Sequence, residues 1–153
     1  IKEARTANVE MGTAMSLNSE ARISVNDFKM TYTGSVRGSG TGGVDIYGTY
    51  APVTDYTYNY VLQNGATLDL AGKTAAWDVT GLQLGFVANS RIDILMPPPS
   101  VVKSGDYVVT WEEGKAPANV DTVTFKAKGE KGTLLQVKST GILVRRGFTI
   151  LVR

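Results

Sequence analysis

The sequence predicts an all-β protein: short β-solenoid (β-helix) coils followed by a small antiparallel β cap. Three observations point there. Apolar residues recur at every second position, segments of this kind return every 21 to 24 residues, and glycine-bearing turns separate them. A β-sandwich or jelly roll is the alternative, because evenly spaced strands fit that architecture as well.

Taken in order, Ile1 to Met15 holds the only run of helix formers, Lys2-Glu3-Ala4-Arg5, and it gives way to the alternating Asn8-Val9-Glu10-Met11. Ala21 to Val25, Gly43 to Tyr47, Ala66 to Leu70 and Ser90 to Ile94 then alternate apolar with polar residues, the mark of strands with one buried face. Ile23 lies 21 residues before Val44, Val44 lies 24 before Leu68, and Leu68 lies 24 before Ile92. The flanks repeat too: Leu17-Asn18-Ser19-Glu20-Ala21 resembles Leu62-Gln63-Asn64-Gly65-Ala66, with Phe86-Val87-Ala88-Asn89-Ser90 a weaker copy. A solenoid coil spends about that many residues on two or three short strands, and its inward side chains stack from coil to coil. The glycines between Gly34 and Gly43 supply corners.

Pro97-Pro98-Pro99 cannot continue the interior of a ladder. Residues 1–96 are therefore expected to form the coils, and residues 97–153 the antiparallel cap of one continuous domain. In the cap, Tyr107–Trp111, Thr122–Phe125, Leu134–Val137, Ile142–Val144 and Phe148–Val152 read as short strands separated by glycine turns. Residues 1–100 hold seven basic and nine acidic side chains and residues 101–153 nine and five, a mild asymmetry that fits lysines guarding strand edges.

Composition excludes more chemistry than it suggests. With no cysteine and no histidine, the chain has no disulfide, no thiol or Ser-His-Asp catalysis, and no His- or Cys-ligated metal. A formal net charge of +2 is too small to imply nucleic acid. No apolar run approaches the roughly 20 residues of a membrane helix. The chain opens Ile1-Lys2-Glu3, so a signal peptide is expected to have been removed or to lie upstream. No cofactor is expected, since the glycine run lacks the Lys-Ser/Thr of a phosphate loop.

Two clusters are candidates for function. With the coils in register, Asp45, Asp69 and Asp93 fall at one position, pointing outward about 4.8 Å apart. Such a carboxylate column is a solvated polar face, a cation site of calcium type, or a pair with retaining-glycosidase spacing. The second cluster is Tyr47, Tyr50, Tyr56, Tyr58 and Tyr60, of which the last three alternate along one strand face. This row covers the flank of the stack, or it contacts a carbohydrate or protein partner. Trp77 and Trp111 read as core or cap anchors. Phe148, Thr149, Ile150, Leu151 and Val152 form an apolar strand able to complete a neighbouring subunit's sheet.

Gly48 to Tyr56, Leu62 to Leu70, Gly72 to Trp77 and the ending Thr140 to Ile150 together resemble the C-terminal region of autotransporter-passenger-like β-helix surface proteins of bacteria. The resemblance implies export, a β-helical body and an extracellular or cell-surface place. It carries no catalytic signature, and membrane anchoring in the autotransporter manner, by a translocator barrel after Arg153, is not expected. The expected function is that of a non-enzymatic surface or secreted β-solenoid with a structural or adhesive role, whose partners are other protein subunits or surface glycans. The alternatives are a subunit of a pilus-like extracellular filament built by strand addition, and a carbohydrate-binding or carbohydrate-active module.

Overall fold

Sixteen short strands and one 3-10 turn, Val120–Thr122, make up the regular structure among the described residues, so the protein is all-β with almost no helix. The computed structural model describes residues 45–52 and 60–147 in full and, between residues 9 and 44, the backbone of the strands. In chain order the strands are β1 (Val9–Met11), β2 (Met15–Leu17), β3 (Arg22–Val25), β4 (Lys29–Tyr32), β5 (Val36–Gly38), β6 (Gly43–Ile46), β7 (Thr49–Pro52) and β8 (Tyr60–Leu62). They continue with β9 (Thr67–Asp69), β10 (Trp77–Asp78), β11 (Leu84–Phe86), β12 (Arg91–Leu95), β13 (Tyr107–Thr110), β14 (Thr124–Ala127), β15 (Leu134–Lys138) and β16 (Gly141–Arg145). The run of helix formers near the start of the chain lies outside the described residues.

From β1 to β9 successive strands belong to different sheets, whereas β12 to β16 all lie in one. A ten-stranded mixed sheet runs β1-β4-β7-β9-β12-β14-β15-β16-β13-β10, a four-stranded sheet β11-β8-β6-β3, and a two-stranded sheet pairs β2 with β5. Pairing is parallel from β1 to β14 and throughout the two smaller sheets. Parallel neighbours need a long connection, which usually contains a helix. Here the connections between the parallel partners from β1 to β12 contain strands of the other sheets, and that between β12 and β14 contains β13 of the same sheet. Val9 pairs with Met30, Met15 with Val36 and Ile23 with Val44, so all three ladders open with the same offset of 21 residues.

The expected 21-residue step from Ile23 to Val44 is therefore a true strand pair. The next step is not. Val44 pairs with Tyr60 in the four-stranded sheet, while Leu68 lies in the ten-stranded sheet between Tyr50 and Ile94. The echo of Leu62 in Phe86 is again a pair, at an offset of 24, yet Leu68 meets Ile94 rather than Ile92. The cause is a corner: four residues lie between Leu62 and Thr67, but six between Phe86 and Asp93, which is Thr67's partner.

Parallel pairing also continues beyond the prolines, because β14 pairs with β12 and β13 with β10. Of the expected cap, the antiparallel part is the β14–β15, β15–β16 and β16–β13 pairings. The core is shared across the proline break. Tyr50, Leu68, Ile94 and Ala127 lie in register on four neighbouring strands, and Ile46, Leu62 and Phe86 on three of the other sheet; all are buried in one cluster. Removing a leucine or isoleucine side chain from water contributes about 1.5–3 kcal/mol each, so these rows are the main source of cohesion.

Both tryptophans anchor that core, as expected from their positions. Trp77 meets the Tyr50 ring edge-on at 6.3 Å between centroids. Trp111 is 3% exposed, and its Nε1–H donates to the Ser139 carbonyl at 2.8 Å.

Candidate functional site

The carboxylate column does not form. Asp45 stands on β6 of the four-stranded sheet, opposite Ser24 and Val61, whereas Asp69 and Asp93 belong to the ten-stranded sheet. Within that sheet Asp93 faces Thr67 and Asp69 faces Leu95, a shift of two residues that follows from the longer corner before β12. One strand spacing and two residues of rise separate the two Cα positions by roughly 8 Å, too wide for an in-register pair.

Each carboxylate has local company instead. Asp45 Oδ1 accepts from Gln63 Nε2 at 3.1 Å, and Asp69 Oδ1 from the Ala71 backbone N–H at 3.1 Å, a turn-forming contact. Asp93 lies between Thr67 and Lys126 across the strands, with Arg91 Nε 3.7 Å from its Oδ1. Among the described residues no group of three acidic side chains is placed to hold a metal ion.

The tyrosine row divides. Tyr50 and Tyr60 are buried, 3% and 2% exposed, with their rings stacked at 5.1 Å, so they serve the core and cannot touch a partner. Alternation along a strand says which residues share a face, not which face is inward. Tyr47 is exposed and stays available for contact. Tyr56 and Tyr58 lie outside the described residues, as does the strand candidate Phe148–Val152.

The most concentrated polar constellation among the described residues has no signature in the sequence. Arg146 follows β16 and sends Nε and Nη2 to the Glu130 carboxylate, each at 3.2 Å. Its Nη1 donates to the Val102 carbonyl and Nη2 also to that of Pro97, while its backbone N–H donates to Ser104 Oγ at 2.9 Å. Glu130 is held in turn by the Thr133 hydroxyl at 2.9 Å. The cluster ties the proline segment to the β14–β15 turn and the end of β16. All three guanidinium nitrogens are engaged, so it is a fastening rather than a site for a ligand. Only the partners' separation of 16 residues and more hid it: no local spacing marks such a pair.

One open cleft of about 440 Å³ lies beside the cap, lined by Trp111, Pro117, Val120, Asp121, Val137 and Lys138. Its aromatic wall is the buried Trp111, pinned through Nε1, so no ring face is free to stack on a sugar. Asp121 and Lys138 bring one charge of each sign and nothing that pairs an acid with a base.

The Asp78 carboxyl is shifted by its own turn. The Thr80 backbone N–H, 2.9 Å from Asp78 Oδ1, and then the Thr80 hydroxyl hold it below its ordinary value. It closes the turn after β10. Comparison of the chain with protein families, with characterised proteins and with solved structures finds no match in any of the three.

Proposed function

We propose that this chain is a β-solenoid with one closed end, serving as a non-enzymatic structural or adhesive element at a bacterial surface or in secreted material. One observation carries the reading: three separate parallel ladders open with the same 21-residue offset. Equal offsets on three faces are what a coil of constant length produces. The later registers vary around that length, with Met30 meeting Tyr50, Tyr50 meeting Leu68 and Leu68 meeting Ile94.

The function follows from mechanics. Stacked coils share one continuous core, so they make a stiff body with long repetitive faces, suited to display and spacing rather than to turnover. The resemblance to passenger β-helices supports the same location outside the cell.

Two measurements test it. In native-state amide exchange, the amides of β9, β12 and β14 are expected to open together with those of β8 and β11, as one stacked unit. Independent opening of the two sheets would overturn the coil reading. On intact cells of the source organism, added protease is expected to remove the chain, or the chain is found in the medium. A chain protected until the cells are lysed overturns the surface reading.

A further inference from the structure

We propose that the outward face of β12, β14, β15 and β16 is a docking surface for an acidic polysaccharide, a linear polymer of carboxylate-bearing sugars. Such a polymer is the target of the adhesive role proposed above, on which this assignment rests. Alternation fixes which side chains share the face. Ile92, Phe125, Ile142 and Val144 are buried in the core, and Leu135 and Val137 pack against it. The residues that alternate with them therefore point outward. Of these, Arg91, Lys126, Lys138 and Arg145 are exposed, as is Lys128 just beyond β14. The same outward positions hold one carboxylate, Asp93.

Charge is concentrated here. Five cations against one carboxylate give this face a surplus of four, on a chain whose whole formal net charge is +2. Arg91 turns to Asp93, its Nε 3.7 Å from Oδ1, so the excess falls on the other four cations. Edge protection does not account for them. Lysines guard a sheet at its edges, whereas β14, β15 and β16 each have a neighbouring strand on both sides. Lys126 and Arg145 flank Leu134, which pairs with both. Their Cα atoms are thus two strand spacings apart, about 9.6 Å. Lys138 lies at the other end of β15 from Leu134, roughly 13 Å along the strand. Like charges gathered on one face repel one another, and a polymer of opposite charge laid across them relieves that repulsion.

Apolar contacts decide which polyanion fits. Leu134, 48% exposed, offers an apolar spot between two cations. Tyr107 supplies another: it is half-buried, and its ring lies over Gly141, where a methyl group would meet Cδ1 at 2.6 Å. Because Ile142 points inward, Gly141 and the ring over it belong to the outward side. Gly141 pairs with Lys138, so ring and cation share one patch. Sugar rings pack their C–H faces on such side chains while their carboxylates meet the cations. A bilayer surface calls for a broader apolar face than one leucine. Single-stranded nucleic acid calls for several rings on which successive bases stack, and this face presents one tyrosine among the described residues.

The test is equilibrium binding of the full chain to polygalacturonate at low and at physiological salt. The polymer is expected to bind, more weakly as salt rises, and to lose roughly tenfold or more when its carboxylates are methyl-esterified. Polyphosphate keeps the charge without the sugar rings and is expected to bind roughly tenfold more weakly. Lys126→Gln/Arg145→Gln should weaken polygalacturonate roughly tenfold at an unchanged melting temperature, and Leu134→Ser several-fold. Lys103→Gln/Lys115→Gln removes two exposed cations outside these strands and should change binding less than about twofold. No binding, equal binding of the esterified polymer or of polyphosphate, or equal losses in the two double variants would each overturn the proposal. Stronger binding to single-stranded DNA or to phosphatidylglycerol vesicles would overturn it as well. All of these are read on purified protein, so they stand apart from the protease treatment of intact cells, by which the surface reading fails.

Discussion

Arg146 grips Glu130 with two arms of its guanidinium, Nε to Oε2 and Nη2 to Oε1, both at 3.2 Å. The Arg146 side chain is 15% exposed and that of Glu130 28%, so water screens the pair only in part. Replacing Glu130 with Gln leaves a half-buried cation facing a neutral amide, while Arg146→Lys keeps the charge and loses the fork. Each single change is expected to lower stability by roughly 1–3 kcal/mol, and a double-mutant cycle should show coupling of about 1 kcal/mol or more. Additive single effects in urea unfolding would show that the two side chains act apart.

Gly141 opens β16 against β13, and a methyl group there would meet the Val109 carbonyl oxygen and, at 2.6 Å, Cδ1 of the Tyr107 ring. Both neighbours belong to a ladder that already carries a register irregularity between Tyr107 and Val109. Gly141→Ala is expected to destabilise by about 1–3 kcal/mol, through overpacking rather than strand preference. Thermal unfolding of this variant beside Gly72→Ala checks it, since Gly72 has open space and no unusual φ. Equal melting temperatures would contradict the close approach.

Asp78 accepts from the Thr80 N–H and hydroxyl, so its carboxyl is more acidic in the folded chain than in the unfolded one. A depressed carboxyl pKa stabilises above the unfolded value, and that contribution disappears as pH falls through the folded one. Asp78→Asn is therefore expected to cost a little stability at neutral pH and nothing in strong acid, where both chains carry a neutral group. Because the carboxyl faces water, the difference is small. A destabilisation independent of pH would assign the effect to packing.

Calcium is expected to do nothing to this region. Asp45 sits in a different sheet from Asp69 and Asp93, and those two are two residues out of register. A column of three would have bound a cation and raised the melting temperature in proportion to log concentration. Millimolar calcium should leave the transition of the wild type and of Asp69→Asn at the same temperature. A rise seen in the wild type and abolished in Asp69→Asn would restore the site.

What the sequence made legible was local. Alternation at Ile92 and Ile94 named strand residues that are fully buried, and the Ile23–Val44 spacing named a real pair. Repeats become misleading once two sheets interleave: Val44 and Leu68 look equivalent by spacing, although their strands belong to different sheets and do not pair. The two extra residues in the corner before Asp93 are invisible to periodicity, because a shift of two preserves which side chains point inward. Long-range fastenings such as Arg146 to Pro97, and the close approach at Gly141, depend on the finished fold and leave no pattern along the chain.

The same distinction governs the tyrosines. Tyr60 is stacked on Tyr50 inside the core, and Tyr47 lies out in solvent. Tyr60→Ala removes a buried ring and is expected to cost about 3–5 kcal/mol. Tyr47→Ala should stay within about 0.5 kcal/mol of the wild type, as surface changes usually do. Any loss of glycan or partner binding in Tyr60→Ala should therefore track unfolding and return when the sample is cooled below its lowered transition. Loss in Tyr47→Ala at unchanged stability would instead mark a contact. Measuring binding and unfolding on the same two variants separates a ring that holds the protein together from one that touches something else.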